Sequence, residues 1–175
     1  MYLDPRECEY LLKLRPGLQK ERFRKPIEFV GNAVILRLVD VRTHRGLVRF
    51  SLDPDGKTMS TGITTNPCPI RDPYSLVEGS DYMLYFHLSL RVDEIPESLR
   101  KNIVVELRPT NEVADTGLFF NKLVKDGDLY VSAHVGRRIQ IYEGYPMAEL
   151  RFLKEDVVEI GKVKKDDRKD TSDRS

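Results

Sequence analysis

The sequence predicts a mainly β protein, a sandwich or a barrel, on three observations. Apolar residues alternate with polar ones along many short runs. Clusters of Gly, Pro, Asp and Asn separate those runs, and helical periodicity is confined to the start of the chain. The 175 residues suffice for one hydrophobic core.

Taken in order, residues 4–14 read as a short helix, with Asp4 as N-cap, Pro5 in its first turn and Glu7 completing a capping box. Tyr10, Leu11 and Leu14 are expected to share its buried face, and Pro16-Gly17 to end it. Strands are expected from Ala33 to Val39, an almost unbroken apolar run, and from Gly46 to Leu52, where Val48, Phe50 and Leu52 alternate. The longest alternation runs from Tyr82 to Val92 and puts Tyr82, Leu84, Phe86, Leu88, Leu90 and Val92 on one face. Further strands are expected at 103–107, 118–124, 129–135, 138–142, 147–153 and 157–163, with a helical turn at 97–102. Residues 53–73 are dense in turn formers and read as one long loop. The expected organisation is a helix and basic arm (1–25), a β domain (26–160) and a charged flexible tail (161–175).

A third of the residues are charged, yet 29 Lys and Arg offset 28 Asp and Glu, and the formal net charge is +1. With 40% hydrophobic residues, this composition excludes a disordered chain. No apolar run approaches the roughly 20 residues that a helical membrane span needs, so no membrane partner is expected. Resolved by position, residues 15–25 carry +4, residues 26–160 carry −4 and the tail carries +2. A basic arm can serve nucleic acid, but no aromatic stacking platform is visible beside it. Solvation, or pairing with an acidic neighbour, is its expected role, and nucleic acid is not an expected partner. The start, Met1 to Glu7, lacks the pattern of a secretory leader, and Cys8 and Cys68 are too few for a disulfide framework. A cytoplasmic setting is expected.

Generic chemistry is sparse. His44, His87 and His134 are scattered and none is near a cysteine, so ligand spacing points to no metal centre. His87 and His134 fall inside strands and read as hydrogen-bonded structural residues; Cys68, between Pro67 and Pro69, also reads as structural. There is no phosphate-binding glycine loop and no nucleophile elbow.

Longer segments are more informative. Leu76-Val77-Glu78-Gly79 precedes the long strand, and Val92-Asp93-Glu94-Ile95-Pro96-Glu97-Ser98-Leu99 follows it. Ala114-Asp115-Thr116-Gly117-Leu118 comes next, then Ile141-Tyr142-Glu143-Gly144-Tyr145-Pro146-Met147-Ala148-Glu149-Leu150-Arg151-Phe152. With the opening helix and Gly31 to Leu38, these segments resemble, in order and spacing, the dUTPase and dCTP deaminase superfamily over most of residues 3–153. That resemblance implies a distorted jelly-roll β-barrel assembled as a homotrimer. It also implies sites between subunits that bind a pyrimidine deoxynucleoside triphosphate with Mg2+.

The departures from the family pattern concern the site. Ile35 stands where the family has an aspartate. Thr110, Asn111 and Glu112 occupy the positions of an arginine and two serines that hold the triphosphate, with Arg108 two residues away. Glu149 replaces a nucleotide-facing glutamine, and two acids there would repel polyphosphate. The base-cradling hairpin is shorter by several residues, with Asp126-Gly127 as a remnant of its turn. Ser132 then stands at the position of the catalytic glutamate of deaminases, and a hydroxyl cannot act as a general acid/base near neutral pH. The glycine-rich closing tail of dUTPases is absent, Gly161 being the only glycine after Gly144.

Three readings follow. The first is a repurposed binding or regulatory trimer of this type, for a nucleotide, another small ligand or a protein. The second is a working dUTP diphosphatase or dCTP deaminase in which Arg108, Asn111 and Asp126 take over phosphate, ribose or water-activating roles. The third is an unrelated β-sandwich binding domain. Against all of them, Glu112, Asp115, Asp126 and Glu149 can be ordinary solvated or interface charges.

Overall fold

The computed structural model describes residues 1–18, 20–45, 49–52, 54–56, 58–61, 64–68, 73–91, 94–97, 101–125 and 127–155. Asp4 caps α1 (Pro5–Leu11). Its carboxylate accepts from the Glu7 N–H at 2.9 Å, and the Glu7 carboxylate accepts from the Asp4 N–H at 3.0 Å. The helix ends three residues earlier than the sequence predicts. From Leu12 the backbone is extended, and β1 (Leu12–Leu14) pairs with β8 (Asp81–Leu90), which carries Leu12 into the core. The buried face of α1 is therefore Cys8 and Leu11, and Tyr10 is 79% exposed.

A 3-10 turn (Lys20–Arg22) leads to β2 (Phe29–Val30), which forms a tight hairpin with β3 (Ala33–Arg45). Next, β4 (Arg49–Leu52) pairs with β5 (Thr58–Thr61), and β6 (Thr64–Pro67) returns to β3. The stretch expected to be one loop thus holds two strands. Threonine is β-branched as well as polar, so these strands form without the apolar alternation that marks the others.

The second half contains β7 (Tyr74–Leu76), β8, β9 (Ile103–Pro109), the short α2 (Asn111–Ala114), β10 (Leu118–Lys125), β11 (Asp128–Val135), β12 (Ile139–Ile141) and β13 (Pro146–Lys154). The Lys101 N–H donates to the Glu97 carbonyl at 3.1 Å, the helical bond expected at 97–102. Strand β10 turns into β11 through Gly127, whose φ of +83° suits glycine. Val92, Asp126, the strand expected at 157–163 and the tail lie outside the described residues.

One nine-stranded sheet dominates, in the order β10-β11-β8-β3-β13-β9, with β1 on β8 and with β2 and β6 on β3. Its end strands β10 and β9 also touch, so the sheet almost closes into the expected barrel; β7–β12 and β4–β5 form two small sheets. Phe86, Phe152, Leu36, Leu38, Leu84, Leu88 and Leu150 fill the interior. Strand β8 is buried on both faces over much of its length: Met83, His87 and Ser89 are as enclosed as the alternating apolar set. The chain start runs beside the end of β13, with Leu3 N–H on the Phe152 carbonyl at 2.9 Å and Lys154 N–H on the Met1 carbonyl at 2.9 Å. No helix among the described residues is long and apolar enough to cross a membrane.

Candidate functional site

Strand β13 lies between β3 and β9, and its register sets Glu149 opposite Ile35 on one side and Arg108 on the other. Partners in antiparallel register project to the same face. Ile35, Glu149 and Arg108 therefore form one row on the face away from buried Val34, Leu36, Ala148 and Leu150. In the next row Arg151 opposes Glu106. The charges of these two rows are matched among themselves. Arg108 is paired with Glu106 through Nη2 and Oε1, and Arg151 Nη2 lies 3.5 Å from Glu149 Oε2. The Tyr2 hydroxyl donates to Glu106 Oε2 at 3.3 Å, and the Arg151 guanidinium sits 5.8 Å from the Tyr2 ring centre. The patch has two cations and two anions, with no surplus positive charge to meet a polyphosphate.

At the end of β9, Thr110 joins β13: its N–H donates to the Met147 carbonyl at 3.0 Å and its hydroxyl to the Pro146 carbonyl at 3.5 Å. Asn111 and Glu112 open α2 on the exposed side, and buried Val113 anchors the turn. The Tyr145 hydroxyl donates to the Glu112 carboxylate, which keeps the phenol protonated and pushes its pKa up. Beneath α2 is a cavity of about 320 Å³, bounded by Glu112, Val113, Leu118, Ile141, Tyr145 and Met147 among others.

Ser132 is elsewhere. It lies on β11, opposite Met83 and Asn121, and β8 and β3 separate its strand from β13. Within one chain, Arg108, Thr110, Asn111, Glu112 and Glu149 are brought together and Ser132 is not; Asp126 lies outside the described residues. Ser132 shares its face with a cluster that sequence reasoning missed. Tyr85 and Tyr130 stack with ring centres 4.9 Å apart, and Arg15 and Arg42 lie over Tyr85 at 4.7 and 5.2 Å. Arg42 is held by Asp40 at 2.8 Å, and the Ser89 hydroxyl donates to Asp128 at 3.0 Å. An aromatic pair does accompany the basic arm, contrary to expectation, and two guanidiniums and the second tyrosine already occupy its flanks. The alternation of β8 gives the signal in retrospect, because Tyr85 lies on the strand face opposite Leu84 and Phe86.

His87 is 1% exposed and both ring nitrogens are engaged. Nδ1 accepts from the Arg37 N–H at 3.0 Å, so the proton is on Nε2, which donates to the Pro26 carbonyl at 2.6 Å. Phe23 stacks on the ring at 5.1 Å, which straps the arm to the barrel. His134 Nδ1 lies 2.7 Å from Asp81 Oδ1 at the surface. Burial pushes the Cys8 thiol up to about 11 and raises that of Cys68, so neither is an activated nucleophile. Among the described residues, no group of three or more His, Cys, Asp or Glu side chains converges to hold a metal ion.

Architecture and strand order define a small, almost closed antiparallel β-barrel with a short N-terminal helix. The chain is similar in fold to the crystal structure of 2'-deoxycytidine 5'-triphosphate deaminase from Agrobacterium tumefaciens, with a TM-score of 0.55 and 15% sequence identity. The likeness covers 86% of this chain and 47% of that one, so the chain spans less than half the length of that enzyme. No protein-family model and no curated protein matches the sequence.

Proposed function

We propose that the chain is a dUTPase/dCTP deaminase-like barrel whose triphosphate site is lost or repurposed, and that it acts as a binding or regulatory trimer. The Ile35–Glu149–Arg108 row carries this reading. It puts a carboxylate in register with the nearest arginine to the family's phosphate-binding positions, and that arginine is itself paired with Glu106. A polyphosphate brought to this row meets Glu149, at about 1 kcal/mol of repulsion per close like-charge pair in solvent, and competes with Glu106 for Arg108. Glu112, bonded to Tyr145, adds a second acid where the family has a hydroxyl. Ser132, at the position of the deaminase glutamate, supplies no acid/base group.

The test is turnover of dCTP and dUTP with Mg2+, the metal ion a triphosphate substrate brings. The expected result is neither deamination nor diphosphate release. Turnover that Asp126→Ala abolishes overturns the reading and establishes the enzyme alternative. Light scattering on the eluted protein tests the assembly: a mass near three times 20.3 kDa supports the trimer, and a monomer counts against it.

A further inference from the structure

We propose that the cavity under α2 binds a small planar organic cation, of the aromatic amidine or amine class, with the Glu112 carboxylate as its counter-ion. This deepens the reading above and rests on it, because it requires that Glu112 no longer serve a polyphosphate. The cavity, about 320 Å³, lies in the size range of small-ligand sites. Its inner wall is apolar: Val113, Leu118, Ile141 and Met147 are all buried side chains. Such a wall accepts a flat hydrocarbon body and offers nothing to a second charge.

The rim supplies one charge of one sign. Glu112 borders the cavity, and the Tyr145 hydroxyl engages its Oε2 and fixes the carboxylate in place. Oε1 has no hydrogen bond among the described residues. Tyr142, 58% exposed at the same rim, offers an aromatic face that attracts cations. Among the described residues no Lys or Arg borders the cavity, so an anion meets Glu112 with no cation to offset it. The larger depression beside the basic arm has the opposite bias: its Arg22 and Arg37 are paired with Glu143 and Glu28, but Arg24 and Lys25 also line it against Glu21 alone.

The probe is benzamidine, titrated calorimetrically into the full chain beside its neutral and anionic analogues, benzamide and benzoate. Benzamidine is expected to bind about tenfold more tightly than benzamide, the difference one charge-assisted contact makes, and benzoate not to bind. Glu112→Gln, at an exposed position, should bring benzamidine down to the affinity of benzamide. With methyl-labelled methionines, benzamidine should shift the Met147 resonance and leave that of Met83, on β8, in place. Absence of benzamidine binding, equal binding by Glu112→Gln, or an unmoved Met147 resonance each overturns the proposal. Nucleotide turnover is assayed on the same protein without benzamidine. Silence towards both kinds of ligand therefore removes this inference and leaves the loss of the triphosphate site standing, whereas turnover removes that reading.

Discussion

His87 shows how much of the fold hangs on one protonation state. Its Nδ1 must stay unprotonated to accept from Arg37, and burial lowers its pKa, with the Pro26 contact opposing that trend. The folded pKa is below the ordinary value of about 6.5, so between the two values the unfolded chain binds a proton that the folded chain refuses. Stability from this group is fully present above about pH 6.5 and is lost as pH falls towards the folded value, by up to about 1.4 kcal/mol per unit. Chemical denaturation between pH 7.5 and 5 should show that slope. His87→Phe can keep the stacking on Phe23 but leaves the Arg37 N–H and the Pro26 carbonyl unpaired. It should cost about 1–3 kcal/mol at pH 7.5 and flatten the acid slope. A variant with the full wild-type slope would show that His87 is not its source.

At the scale of elements, the close approach of two turns depends on a missing side chain. Gly136 follows β11, and its N–H donates to the Gly117 carbonyl at 3.0 Å. A Cβ on Gly136 would lie 2.7 Å from that same oxygen, inside contact distance and against backbone rather than a movable side chain. Gly136→Ala should therefore destabilise by roughly 1–3 kcal/mol, read as a fall in Tm of about 2–4 °C per kcal/mol. An unchanged Tm would mean that the two turns can separate freely. Neither this contact nor several short elements can be read from the sequence. The strands with an apolar run or alternation, β3, β8, β11 and β13, were legible because each buries one or both faces. Strands β5 and β6 were hidden because threonine carries the strand preference without hydrophobicity. Strand β1 is three residues of an apparent helix that a partner 78 positions away, Leu90 opposite Leu12, recruits into the sheet. Helix α2, four residues long, is too short for periodicity to exist. The candidate site was legible as residue identities at Arg108, Glu112 and Glu149. The pairing of Arg108 with Glu149 across strands, and of Glu112 with Tyr145, depends on register and so became visible only in the folded chain.

For the molecule as a whole, the net charge of +1 conceals how the charges are placed. The arm is positive, but Arg15 lies over Tyr85 and Arg22 is bound to Glu143, so part of its charge is directed at the barrel itself. On the opposite side of the strand order, Arg108 and Arg151 face Glu106 and Glu149 in near-complete cancellation. A protein built to hold polyphosphate concentrates positive potential where the phosphates sit. If matched charge is what excludes the anion, removing one carboxylate without changing shape should admit it. Glu149→Gln gives the residue type of the pattern that the sequence resembles and deletes one like charge in the row, worth about 1 kcal/mol. Inorganic tripolyphosphate, titrated at low salt, should then bind about fivefold more tightly than to wild type. Adding Glu106→Gln releases Arg108 from its partner and should increase the gain. Salt at 0.1 M, with a screening length of about 10 Å, should shrink both effects. Equal tripolyphosphate affinity in all three proteins would mean that the matched charges do not govern access to this face.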